Sequence, residues 1–177
     1  MKLRALLLSA LMLAAPVQAK ELPEDHRQLL STLTNDGVNI FINRPSQICG
    51  DGDIDGSYIA FENESYMAIC QDNYDLGPDT DVVEWSHNDL DTIRHEVTHL
   101  IQDCKDGTNS DSVLSPIFDN PVDVIAQLGV PRAQAITETY RARGASDEVI
   151  LLELEAFYAA SHLSAGQIEE LYVRYCR

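Results

Sequence analysis

Between Trp85 and Cys104 the chain carries a pattern that admits few folds. Leu90, Ile93, Val97, Leu100, Ile101 and Cys104 recur at helical spacing and make one apolar stripe. Trp85-Ser86-His87-Asn88-Asp89-Leu90 reads as its start, with Ser86 as N-cap, Asp89 as capping-box partner, and Trp85 and Leu90 as a hydrophobic staple. A helix is predicted from about Ser86 to Asp103, and the remaining chain must cover its stripe. At about 100° per residue, His95 and His99 point away from that stripe.

Those two histidines belong to His95-Glu96-Val97-Thr98-His99, which spells H-E-x-x-H. On a helix they lie one turn apart on one face, close enough for both imidazoles to reach one tetrahedral Zn²⁺ at about 2.0–2.1 Å. Glu96 would then lie beside a zinc-bound water and serve as general base. Core histidines would fall within the apolar stripe, and these do not. The pattern thus leaves metal ligation or a solvated helix face, and predicts His95 and His99 as ligands.

Around this helix the expected organisation is α+β, a small antiparallel sheet followed by helices. Pro23 to Asp36 reads as a first helix, with Leu29, Leu30 and Leu33 on one side and Asn35-Asp36-Gly37 as its stop. Val38 to Ile42 reads as a strand ended by Pro45. Ser57 to Phe61 and Tyr66 to Cys70 read as a hairpin, and Phe41 to Ile48 as strand and loop. Asp72 to Asp81 and Lys105 to Ser115 read as loops. Asn120-Pro121 opens a helix ended by Gly129, Pro131 another reaching about Arg143, and Ser146 caps one that runs to about Ser161. Ser164-Ala165-Gly166-Gln167 opens a last helix to Tyr175.

The N-terminus reads as an export signal. Lys2 and Arg4 precede an apolar run, Ala5 to Ala15, that is too short to span a bilayer, and Val17-Gln18-Ala19 presents small residues for cleavage after Ala19. Residues 1–19 are thus expected to be a signal peptide and 20–177 a single domain, periplasmic or secreted and monomeric. The four cysteines then read as two disulfides, Cys49–Cys70 and Cys104–Cys176. A formal net charge of −17 disfavours nucleic acid and anionic membrane surfaces as partners. The expected partner is a peptide or protein substrate.

A catalytic zinc site needs a third protein ligand. The extended H-E-x-x-H-x-x-G-x-x-H pattern is excluded, because Gln102 and Lys105 stand at its Gly and final His positions. The alternative is a glutamate from a later helix, and Leu151-Leu152-Glu153-Leu154-Glu155-Ala156 offers two. Helical periodicity places them symmetrically beside an apolar face and does not choose. Two details favour Glu155. Ala156 and Ala159 beside it permit close packing on the histidine helix. His162, two turns on, shares its face and could donate to a developing oxyanion. Tyr140, Tyr158 and Tyr172 are further candidates for that donor.

With His95-Glu96-x-x-His99 and a downstream Glu155-Ala156, the chain resembles zinc metallopeptidases of the gluzincin type, in a minimal exported bacterial form. The resemblance covers about Ser57 to His162 and implies a zincin-like fold. It also implies peptide-bond hydrolysis, with His95, His99 and Glu155 on zinc, Glu96 as base and His162 as a catalytic donor. It further implies that a strand before the motif helix, Tyr66 to Cys70, borders the cleft. One position departs from the family. Many gluzincins carry an Asp four residues after the ligand Glu, where this chain has Ala159, so support for a zinc histidine must come from elsewhere, with Asp91 and Asp103 in reach.

A second metal pattern lies upstream. Asp51, Asp53, Asp55, Gly56 and Glu62 match the spacing of an EF-hand loop, though strand-like flanks replace the two helices that motif needs. An acidic turn leading into the hairpin is one reading, and a fold-stabilising Ca²⁺ loop the other. The competing function is accordingly a non-catalytic secreted binding domain, calcium-stabilised, with a vestigial zinc motif.

Overall fold

The fold is described from a computed structural model, for residues 21–44, 46–50, 54–61, 64–74, 83–105 and 113–177. The signal-peptide segment lies outside the described residues. So do Asp51, Asp53 and Glu62 of the calcium pattern.

The order of elements is α1 (Glu24–Asn35), β1 (Asn39–Ile42), α2 (Ser46–Cys49), β2 (Gly56–Phe61), β3 (Glu64–Ile69), α3 (His87–Cys104), α4 (Pro121–Leu128), α5 (Val130–Ala142), α6 (Asp147–His162) and α7 (Ala165–Cys176). The expected α+β class holds: a small sheet precedes a run of helices. The hairpin is antiparallel as expected, with Tyr58 opposite Met67. The sheet as a whole is mixed, because β1 joins β3 in parallel, in the order β1-β3-β2. A one-turn helix, α2, stands where strand and loop were expected. It carries Cys49 back to β3's end, where it is bonded to Cys70.

The motif helix α3 begins as its sequence dictates. Ser86 Oγ accepts the Asp89 N–H, and the Asp89 carboxylate accepts the Ser86 N–H. Its stripe is covered by the sheet and by α1 and α7. Ile93, Val97, Leu100 and Ile101 are buried with Leu29, Leu33, Met67, Ile69, Ile168 and Tyr172 in one core. The Cys104–Cys176 disulfide ties the last residue of α3 to the last of α7. Arg94 pins its midpoint, donating to His26 Nε2 of α1 at 2.9 Å and to the Ala160 carbonyl of α6 at 2.8 Å.

The other side of α3, where the histidines lie, is not a solvated face. Helix α6 packs along it, with Ala156 and Ala159 fully buried where the two backbones come close. The opposite side of α6 faces α4 and α5, whose Val124, Leu128, Ala133 and Ile136 join Ile150 and Leu154 in a second, smaller core. Gly129, at φ +81°, makes the break that separates α4 from α5. Thus α6 is sandwiched between two apolar layers.

Two disulfides fit a secreted or otherwise oxidising setting. No helix among the described residues is long and apolar enough to cross a membrane.

Candidate metal centre

One turn of α3 brings His95 and His99 together, with their Nε2 atoms 3.1 Å apart. Their third neighbour is Glu153 of α6. Its Oε2 lies 3.3 Å from His95 Nε2 and 3.6 Å from His99 Nε2. Three ligands at about 2.0–2.1 Å from a tetrahedral ion stand about 3.3–3.4 Å from one another. The observed triangle has that size. Glu153 Oε2 is buried, and no hydrogen bond satisfies it among the described residues. A buried carboxylate oxygen without a hydrogen bond, facing two imidazole nitrogens, fits a site for a cation. His95, His99 and Glu153 could therefore hold a metal ion.

The electrostatics of the metal-free cluster follow from its crowding. Burial pushes the Glu153 carboxyl up, but the two imidazoles outweigh it and hold it well below the usual carboxylate range. Burial pulls His99 down, yet Glu153, Glu96 and the Gln102 side chain outweigh it and lift the imidazole to about 9. The proton that His99 holds at neutral pH occupies the place a cation would take.

Glu96 is buried beside this triangle, at 5 % exposure. Burial raises its pKa against the pull of His95, His99 and the Tyr58 backbone N–H, with the Glu153 charge adding to the rise. The backbone of β2 passes very close here. A Cβ on Gly56 would lie 2.6 Å from Thr92 Cγ2 and 2.9 Å from both Cγ and Oε1 of Glu96. Only a glycine lets β2 run against the glutamate without displacing it.

An aromatic wall closes the other side. Phe157, one turn after Glu153, meets the His95 ring edge-on at 4.6 Å. Tyr140 of α5 meets Phe157 at 6.3 Å. Burial, the neighbouring Glu153 charge and a hydrogen bond with Glu153 push the Tyr140 phenol far up.

Several expectations are corrected. Glu155 is not at the histidines. It is fully buried in the seam between α3 and α6, where it accepts the N–H groups of Ile117 at 2.8 Å and Phe118 at 3.1 Å and the Gln102 amide at 3.2 Å. Two residues are 200° on a helix, so Glu153 and Glu155 face different ways. His162 is not at the site either. Nine residues after Glu153, it lies on the opposite face of α6 and about 13 Å along the axis. It is exposed, stacked on Tyr158 at 5.0 Å, with Nδ1 near Ser161 Oγ. Among the tyrosines, Tyr140 reaches the cluster. Tyr158 packs on Phe118, and Tyr172 donates to Asp36.

The strand beside the motif glutamate is β2, not the one over Tyr66 to Cys70. That strand, β3, is central and paired on both edges. Nor do the expected carboxylates support a histidine. Asp91 pairs with Arg94 and lies 3.7 Å from His87, and Asp103 accepts the Tyr58 hydroxyl at 2.6 Å. The group at His99 is Gln102, whose Oε1 lies 2.8 Å from His99 Nδ1. Its sequence signal was its position three residues after His99, on the same helix face.

Compared with protein-family models, curated proteins and solved structures, the chain matches none.

Proposed function

We propose that this chain is an exported zinc-dependent peptidase whose ligands are His95, His99 and Glu153, with Glu96 as general base. The observation that carries the reading is the triangle of donor atoms at 3.1, 3.3 and 3.6 Å with a buried glutamate beside it. Two imidazoles and one carboxylate are the donor set of a hydrolytic zinc site, and the ion supplies Lewis acidity that polarises a carbonyl and acidifies water.

The chain's own groups then have distinct tasks. Glu96 takes a proton from the attacking water and passes it to the leaving amine. Its buried place beside the two histidines, which raises its pKa, suits a group that must both accept and return a proton. Gly56 lets β2 run close against that carboxylate. The Tyr140 hydroxyl, kept protonated by burial and by Glu153, stands beside the cluster as a donor for a developing oxyanion. Phe157 gives the site an apolar wall that limits water.

The test is zinc content of purified protein together with hydrolysis of an unstructured protein such as casein. Wild type should hold one zinc per chain and cleave. Glu96→Gln should keep the zinc and lose about 10²–10⁴-fold in turnover. Full activity in Glu96→Gln would refute its role. A protein that takes up no zinc on reconstitution would refute the metal centre and favour a secreted binding domain.

A further inference from the structure

The buried hydrogen bonds behind His99 carry an inference that rests on the metal-centre reading above. We infer that Gln102, held by Glu155, is a positioning residue that locks His99 in the tautomer whose Nε2 is free for the metal.

Ile117 N–H and Phe118 N–H point at the two oxygens of Glu155. Backbone N–H groups only donate, so Glu155 is held as an acceptor. The Gln102 Nε2 atom lies 3.2 Å from Glu155 Oε2 and 3.0 Å from the Leu152 carbonyl. Both partners accept, so only the NH₂ end of the amide can face them. Its Oε1 must therefore face His99 Nδ1, at 2.8 Å. An amide oxygen only accepts, so Nδ1 carries the proton. In the neutral ring the lone pair then falls on Nε2, the atom that stands 3.1 Å from its counterpart on His95.

A flipped amide would present N–H to Nδ1 and move the ring proton to Nε2, where it opposes the metal. That flip would also turn the amide oxygen against the Leu152 carbonyl and Glu155 Oε2, setting acceptor against acceptor. Gln102 and Glu155 are both fully buried, so no water can substitute for either. Linking α3 to α6 does not by itself need this arrangement, since well-packed apolar residues join helices at lower desolvation cost. Glu155 satisfies the Ile117 and Phe118 N–H groups in any case; turning the Gln102 oxygen onto His99 Nδ1 is the part of the order that bears on the tautomer.

The experiment compares wild type with Gln102→Met, which removes the acceptor at similar volume, and Gln102→Glu, which keeps an acceptor toward His99 while its other oxygen, protonated beside the Glu155 carboxylate, donates in place of the amide. Zinc alone is the probe, with affinity read by competition against a chelator. Gln102→Met should weaken zinc binding about 10–100-fold, the usual scale for groups that orient a ligand. Gln102→Glu should recover most of that loss. In zinc-loaded wild type, nitrogen NMR should show a slowly exchanging Nδ1 proton on His99, and its exchange with solvent should speed up in Gln102→Met, where it has lost its acceptor.

A purely structural role gives another result. Gln102→Met would then lower the melting temperatures of metal-free and zinc-loaded protein equally and leave zinc affinity unchanged, which overturns the inference while the metal centre stands. Zinc on Nδ1 of His99 in wild type would overturn it even if neither variant folds. Wild type that binds no zinc would overturn the metal-centre reading, and this inference with it.

Discussion

The two glutamates of α6 make the sharpest contrast, because they differ by two positions and should fail in opposite ways. In Glu155→Ala, the N–H groups of Ile117 and Phe118 lose their acceptor, and Gln102 keeps only the Leu152 carbonyl. Two buried donors left unsatisfied cost about 1–3 kcal/mol each. Part of this is offset, because a carboxylate that burial pushes up no longer has to be desolvated. A net loss of about 2–4 kcal/mol follows, or about 4–16 °C in Tm for a chain of this size. Glu153→Ala removes a partly exposed carboxylate and with it the partner of the His99 charge, while sparing its own desolvation, so the metal-free Tm should fall less than in Glu155→Ala. Zinc reverses the ranking. At free zinc 1,000-fold above Kd, wild type should gain about 4 kcal/mol, or about 8–16 °C. Glu153→Ala should lose this gain, having lost a ligand. Glu155→Ala should keep about 1–3 kcal/mol of it, the 10–100-fold weaker binding reflecting a less well oriented His99. Differential scanning calorimetry with and without zinc reads all four quantities. The assignment is refuted if Glu155→Ala abolishes the zinc-induced shift at an unchanged metal-free Tm, while Glu153→Ala retains that shift.

Two further outcomes are expected. His99 is lifted to about 9 in the metal-free protein, so below that pH a metal must displace its Nε2 proton. For the metal-free fold, a raised histidine pKa contributes stability that is full below about 6.5 and lost as pH rises through 9. For the metal the sign is opposite: zinc affinity should rise about tenfold per pH unit between about 6.5 and 9, then level off. Titration calorimetry in buffers of different ionisation enthalpy should detect about one proton released at pH 7, and zero release would contradict the charge placed on His99. Gly56→Ala puts a methyl carbon against Thr92 and Glu96. It should cost about 1–3 kcal/mol of stability, keep zinc, and lower kcat up to about 100-fold by moving the base. Unimpaired kcat in a folded Gly56→Ala would show that the close approach of β2 does not position Glu96.

Strong local signals are legible, though the one-turn helix α2 over Ser46–Cys49 is not among them. The start of α3 rests on Ser86 and Asp89, three residues apart, and both reciprocal bonds form. The pairing of Cys104 with Cys176 follows from where α3 ends and the last helix runs, and the geometry agrees. The parallel pairing of β1 was not legible. It depends on the path from Ile42 to Gly56, and strand periodicity says nothing of direction.

The ligand glutamate shows why periodicity stops short on α6. This helix is buried on two sides, against α3 and against α4 and α5, so Glu153 and Glu155 look equivalent on a wheel. The group that separates them is distant in sequence: the backbone at Ile117 and Phe118 needs an acceptor inside the seam, and Glu155 supplies it. The small residues Ala156 and Ala159 did mark where α6 touches α3, and both are fully buried. Yet a seam tight enough to need alanine leaves no space for an ion and a substrate. An ion ligand belongs at the edge of the seam, where side chains are larger and Glu153 and His95 keep some exposure. Phe157, one turn after Glu153 and packed on His95, marks that edge. Bulk at i+4 therefore points to Glu153, and small residues at i+1 and i+4 point to Glu155 as the carboxylate that holds the seam together.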